Sequence, residues 1–245
     1  MAARQSIIKK YATQLDGWIQ SCNENHGDEC QVEPITGRQP HHIPDWVIDT
    51  EDGCIVRGCS VQRYAALSYV WNSAATNNDG GRPKAEERLL LRKDNFKDFC
   101  RQGFLRSHVL ENVPLVIRDA INFVQLSGLR YLWVDSLCIV QHEDTTRDCV
   151  ALMNEIYSGA YFTVIAAASK EGLYGNNDDG HLPHGNISVQ HLHSKLLCSD
   201  WASRAWTFQE QLLSKRSIIF LDGTGLCRWI RVSEYASLHL PAVIP

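Results

Sequence analysis

The residue pattern predicts an α/β fold, a mainly parallel sheet with helices on both faces. Apolar runs of strand length alternate with stretches whose apolar residues recur at three-and-four spacing, and this alternation favours parallel strands joined by helical crossovers. The runs are apolar throughout rather than at every second residue, as in strands covered on both faces. The chain of 245 residues, with 44% hydrophobic and 21% charged residues, is long enough and ordinary enough in composition to bury one large core.

Taken in order, Ile7, Ile8, Tyr11, Leu15, Trp18 and Ile19 mark an amphipathic helix over residues 5–21. Short strand-like pieces follow near Trp46 to Ile48 and Ile55 to Arg57. Ala65 to Trp71 is an apolar strand that runs into a polar Asn/Gly loop, residues 72–82. Ile117, Ala120, Ile121 and Val124 form one helical stripe, with Pro114 near its first turn and Gly128 where it should stop. Tyr131 to Asp135 is an apolar run that ends in a carboxylate, the pattern of a buried strand whose carboxyl end opens into a site.

The alternation then repeats. Thr145 or Thr146 serves as N-cap of a helix through Val150, Met153, Ile156 and Tyr157 that stops at Gly159, and a strand follows over Tyr161 to Ala168. Residues 169–199 form a long polar loop, either a lid or an insertion. Ser203 to Leu213 reads as a helix and Ser217 to Leu221 as a further strand. Residues 1–60 are accordingly an extension of helix and short strands packed on a main domain, 61–245.

The formal net charge is −4, with a pI near 6.2, so the chain lacks the electrostatics of a nucleic-acid or membrane-surface binder. No stretch approaches the roughly 18–20 apolar residues of a membrane span, and the amino terminus lacks a signal peptide's apolar core. Nine cysteines, an odd number set among apolar residues, fit reduced thiols better than a disulfide framework, which agrees with a cytoplasmic address. Cys138, at the end of an apolar strand, is expected to be packed and inert.

The most informative segment is Ser203 to Leu213. As a helix it sets Trp206 and Glu210 one turn apart on one face. A carboxylate beside a flat aromatic suits a sugar linked to a ring base; the plainer alternative is a surface glutamate next to a half-buried tryptophan.

Four blocks in this order resemble the fungal heterokaryon incompatibility (HET) domain: Ala66-Leu-Ser-Tyr-Val-Trp71, Tyr131-Leu-Trp-Val-Asp-Ser-Leu-Cys-Ile-Val-Gln141, Met153-Asn-Glu-Ile-Tyr-Ser-Gly-Ala-Tyr161 and Ser203-Arg-Ala-Trp-Thr-Phe-Gln-Glu210. Asn72 stands where that family usually has Gly after the Trp, and Ala205, before Trp206 in the last block, also stands where Gly is usual. HET domains in turn resemble Toll/interleukin-receptor (TIR) domains. That resemblance implies a flavodoxin-like sheet and places Glu210 at the position of the catalytic carboxylate of the NAD-cleaving members. Ser203 lies one residue further from Trp206 than the corresponding serine does.

The resemblance implies NAD+ as a substrate, not a bound cofactor, and hydrolysis of its nicotinamide–ribose bond in incompatibility-triggered cell death. The leaving nicotinamide departs neutral, so one carboxylate that stabilises the oxocarbenium-like charge suffices in principle. Ser68, Tyr69 and Trp71 after the first parallel strand and Asp135 after the second would line a shared crevice. Trp71 is placed either to stack on a base or to pack in the core, and Trp133 to pack. Asp135 is placed either to bind a sugar hydroxyl or to cap its loop, and Arg204 either to meet a pyrophosphate or to lie on the surface. No Gly-x-Gly-x-x-Gly or Walker-type loop is present. The rival expectation is a non-enzymatic module of the same fold that signals by self-association, in which Glu210 belongs to an interface.

Cys22, His26 and Cys30 have metal-ligand side chains at i, i+4 and i+8, with Cys54 or Cys59 available as a fourth ligand. Gly27 and its acidic neighbours point to a loop and the spacing is not that of a standard finger, so no metal is assigned, zinc being the alternative. His181, His184, His191 and His193 in the long loop are expected to be solvated.

Overall fold

The computed structural model describes residues 2–26, 30, 43–70, 89–106, 113–141, 152–167, 172–173, 194–204, 210, 213–221 and 224–229. Its centre is a seven-stranded sheet in the order β2-β1-β4-β3-β5-β6-β7. The strands are β1 (Trp46–Asp49), β2 (Cys54–Arg57), β3 (Ala65–Tyr69), β4 (Tyr131–Val134), β5 (Phe162–Ala166), β6 (Arg216–Leu221) and β7 (Thr224–Trp229). The helices are α1 (Ala2–His26), α2 (Phe96–Phe99), α3 (Leu115–Leu126), α4 (Asp135–Cys138) and α5 (Met153–Gly159).

The α/β class holds, but the sheet is mixed. β4, β3, β5 and β6 are mutually parallel, while β1 pairs antiparallel with both β2 and β4, and β7 antiparallel with β6. The short strands expected to lie on the core as part of an extension instead continue the sheet at its edge, Ile48 pairing with Leu132 and Asp49 with Tyr131. Their hairpin is closed by polar groups. Asp49 accepts the N–H groups of Glu51 and Asp52 and takes the Arg130 guanidinium on both oxygens, at 2.9 and 3.0 Å. The strand β7 had no counterpart in the expected pattern.

Side chains alternate across a strand, so parallel register assigns each residue to a face. Leu132, Val134, Ala65, Leu67, Phe162, Val164, Ile218 and Phe220 lie on one face. There α1 and α3 pack on them: Phe123 of α3 meets Phe162 and Phe220 edge-on at 6.3 and 5.2 Å, and Tyr11 of α1 meets Phe220 edge-on at 5.7 Å. Trp133, Ser68, Thr163, Ile165, Ser217 and Ile219 lie on the other. Tyr157 of α5 stacks edge-on against Trp133, and Trp201 and Leu196 pack with Ile165 and Ile219. Helices therefore cover both faces, as expected, and Trp133 is a core residue.

Local signals explain α3. Pro114 precedes the helix with φ −50°, and Gly128 takes φ 75° so that Gly128 N–H bonds the Gln125 carbonyl and Leu129 N–H the Val124 carbonyl, the paired closure of a Schellman motif. Other bounds shift. α1 runs five residues past the expected end, to His26, and β4 stops at Val134 because Asp135 opens α4. The long loop contains a helical turn at 194–197. The caps at Thr145 or Thr146, Trp71, Trp206 and the four loop histidines lie outside the described residues.

Phe123 is fully buried where α3, β5 and β6 meet. Phe123→Ala should lower unfolding free energy by about 3–5 kcal/mol through lost burial and a residual cavity. Phe123→Leu should cost clearly less. Denaturant midpoints of the two variants check both.

Candidate functional site

The adjacent parallel strands β3 and β5 send their chains opposite ways, β3 on to β4 and β5 on to β6, the position where open α/β sheets form their crevice. Ser68, one residue before the end of β3, points to the α5 side. Its hydroxyl donates to Oε2 of Glu210 and accepts the Trp201 indole N–H at 2.7 Å. All three residues are buried, Glu210 at 3% exposure. The Arg204 guanidinium donates to the Tyr69 carbonyl and lies 4.0 Å from Glu210 Oε1. Among the described residues, that second carboxylate oxygen accepts no hydrogen bond.

The main chain around Glu210 is tied down as well. Ser214 donates to the Glu210 carbonyl at 2.5 Å, and its hydroxyl lies 2.7 Å from that of Thr163 in β5. Glu210 and Leu213 are helical, but Ser203 lies in a turn and Arg204 in a bend, so the helix expected to begin at Ser203 does not include these two residues; 205–209 and 211–212 lie outside the described set.

The other expected residues stand around this centre. Tyr69 is buried and its hydroxyl lies 2.8 Å from the Ser136 hydroxyl, joining the ends of β3 and β4. Asp135, the first residue of α4, accepts the Ser136 N–H at 2.7 Å through Oδ1. The sequence did not single out Trp201, Ser214 or the hydroxyl of Tyr157, which donates to the Leu67 carbonyl at 3.2 Å. Trp201 was hidden beside a polar insertion, and the serines carry no distinctive spacing. Tyr157 was legible only as a core residue of its helix.

Burial pushes the Glu210 carboxyl above its ordinary value of 4.5, against the opposing pull of the Ser68 hydroxyl and the Arg204 charge. Burial also raises the Tyr157 hydroxyl far up, helped by the nearby charges of Glu210 and Asp135. Cys138 is fully enclosed and its thiol is pushed up to about 12, so it is inert, as expected.

A second cluster lies across the sheet. The ligand atoms of Cys22, His26 and Cys30 all lie within 4.8 Å of one another. Hydrogen bonds from Cys30, His26 and Arg216 outweigh burial and hold the Cys22 thiol down at about 5. Cys54 and Cys59, proposed from sequence as a fourth ligand, are not part of this group.

An α/β domain with a buried serine–carboxylate–indole centre at its crevice is thus defined. The chain belongs to the heterokaryon incompatibility protein (HET) family, whose model matches residues 64–210, more than half its length. Ser68, Trp201, Arg204 and Glu210 all fall within that span, while Cys22, His26 and Cys30 fall before it. No curated protein and no solved structure matches the chain. Membership implies a role in heterokaryon incompatibility. No helix among the described residues is long and apolar enough to cross a membrane.

The raised carboxyl has a measurable consequence. A folded chain that holds this proton more tightly than the unfolded chain loses stability as pH rises from the ordinary carboxylate value toward the raised one. Glu210→Gln, which cannot ionise, should remove that slope. Its stability relative to wild type should therefore improve steadily as pH rises above about 4.5. Denaturant unfolding of both proteins across pH 4–8 checks the sign.

Proposed function

We propose that the chain is an NAD+ nucleosidase acting in heterokaryon incompatibility, with Glu210 as its catalytic carboxylate. The observation that carries this reading is Oε1 of Glu210, which faces Arg204 and among the described residues accepts no hydrogen bond, while Ser68 at the tip of β3 holds Oε2. One carboxylate oxygen is anchored and the other remains available to a ribose hydroxyl. Arg204, 26% exposed at its side chain, stands beside it as a cation for the pyrophosphate.

In the reaction the bond between ribose C1′ and the pyridinium nitrogen breaks, and its electron pair returns to the ring as neutral nicotinamide. The positive charge that grows on the sugar is met by the ionised Glu210. Because this carboxylate sits in a low-dielectric setting, the attraction is stronger than it would be in water. Water then bonds C1′ and gives up a proton, for which a carboxylate of raised pKa is a better acceptor than an ordinary one. The products are nicotinamide, ADP-ribose and one proton. NAD+ is consumed, and the proposed chemistry needs no bound cofactor.

A second reading has its own observation. Glu210 is only 3% exposed, as suits a carboxylate that ties its own stretch of chain to β3 in a non-enzymatic module acting by self-association.

The two separate on one variant pair. NAD+ loss should rise with protein concentration in the wild type and fall at least about a hundredfold in Glu210→Gln and Glu210→Ala. Undiminished turnover in Glu210→Ala, or none in concentrated wild-type protein, overturns the enzymatic reading. Cell killing that survives Glu210→Gln would favour the scaffold.

A further inference from the structure

Outside the HET span, the carboxyl-terminal end of α1 carries a constellation that the proposed reaction does not use. Cys22 and His26 sit one turn apart on α1. Cys30 joins them although it is not in helical continuation, since eight helical residues would carry it about 12 Å from Cys22. Instead all three ligand atoms lie within 4.8 Å of one another, and both cysteines are fully buried.

Tetrahedral zinc, with bonds of about 2.3 Å to sulfur and 2.0 Å to nitrogen, sets its ligand atoms roughly 3.5–3.8 Å apart. Side-chain rotation of a fraction of an ångström to one ångström per ligand closes the observed group to that spacing.

The surroundings point the same way. Arg216 at the start of β6 is buried, and among the described residues no carboxylate pairs with its guanidinium. Its Nε instead donates to Cys22 Sγ at 3.4 Å and its Nη2 to Asn23 Oδ1 at 2.6 Å, and the guanidinium lies 5.1 Å over the Tyr161 ring. A buried cation calls for a negative partner, and the sulfur facing it is the group that supplies one as a thiolate. Sulfur bound to zinc keeps enough charge to accept such an N–H bond, the usual outer support of a metal ligand.

We propose that Cys22, His26 and Cys30 bind one zinc ion that fastens the end of α1 beside the start of β6. Two thiolates and an imidazole are a donor set suited to zinc and poorly suited to magnesium or calcium. Binding forms two sulfur–metal bonds and one nitrogen–metal bond and releases the thiol protons to solvent, with no change of oxidation state. The fourth position is filled by water. The role is structural: the ion holds α1, which packs against α3 on the apolar face of the sheet, at the end that its hydrophobic stripe leaves unfastened.

The test uses the full chain, purified without a polyhistidine tag under reducing conditions. Elemental analysis should find about one zinc per chain, lost in Cys22→Ser and in Cys30→Ser and retained in Cys59→Ser and Cys100→Ser, whose cysteines are exposed. Cobalt(II) added to chelator-treated wild type should give the ligand-field absorption of a tetrahedral site together with a thiolate charge-transfer band. That experiment needs no variant to fold, and His26→Gln should change the ligand-field pattern while keeping the thiolate band. Zinc should raise the thermal unfolding midpoint of the stripped wild type. Reduced wild type that takes up neither zinc nor cobalt, zinc content unchanged in both Cys22→Ser and Cys30→Ser, or a Cys22–Cys30 disulfide in freshly isolated protein would each overturn the proposal.

Discussion

One buried carboxylate organises this molecule. Glu210 is placed against the sheet where water is scarce, and a charge in such a place persists only when polar groups are arranged around it in advance. Ser68 is spent on one of its oxygens, Trp201 positions Ser68, and Ser214 fixes the main chain beneath. Each is a small or amphipathic residue in an otherwise apolar layer. That layer accepts them because they satisfy one another: Ser68 donates once and accepts once, leaving no polar atom of its own exposed to hydrocarbon. The cost of keeping the carboxylate appears in its raised pKa, which the nearby Arg204 offsets only in part.

The two faces of the sheet are consequently unlike. On the α1 and α3 side the contacts are between aromatic and aliphatic groups, Phe123, Phe162, Phe220 and Tyr11 among them, and this side supplies cohesion. On the α5 side the sheet presents Ser68, Thr163 and Ser217, and there the polar centre is assembled. The exception on the cohesive side is Arg216, whose residue number has the parity of Ile218 and Phe220 and whose guanidinium meets the thiol cluster of α1. A lone buried cation in an apolar layer is otherwise hard to account for.

The sequence revealed what depends on local pattern. α3 was legible because Pro114, Gly128 and an unbroken stripe act within a single helix, and β3 to β6 because runs of apolar residues are a direct consequence of burial on both sides. What it concealed depends on pairing across distance. Nothing in residues 46–57 states that they hydrogen-bond to β4, since a short edge strand and a packed extension carry the same half-apolar pattern. Asp135 illustrates the same limit at the site. A carboxylate at a strand's end suits a ligand or a cap equally, and nothing in its local pattern tells that one oxygen meets the next N–H at 2.7 Å. Glu210 was found through spacing and kinship, yet its partner Ser68 sits 142 residues away, and the Trp201 that donates to Ser68 lies 133 residues from it, beyond any periodicity.

Burial also bears on how such a centre operates. A carboxylate that reacts with a dinucleotide must first be uncovered, and if the open form is a fraction f of the population, apparent affinity for the substrate falls by that same fraction. A lone chain with a well-closed centre is then a poor enzyme whatever its chemistry. Association that favours the open form raises f and so raises turnover without altering any catalytic group, because a partner that binds one state better shifts the population toward it. Under the proposed reaction, the enzyme and the self-associating module set out above as rivals would then be two stages of one device. On that reading the closed arrangement of Ser68, Trp201 and Glu210 would be the resting state, and its hydrogen bonds would set how much association is needed to leave it.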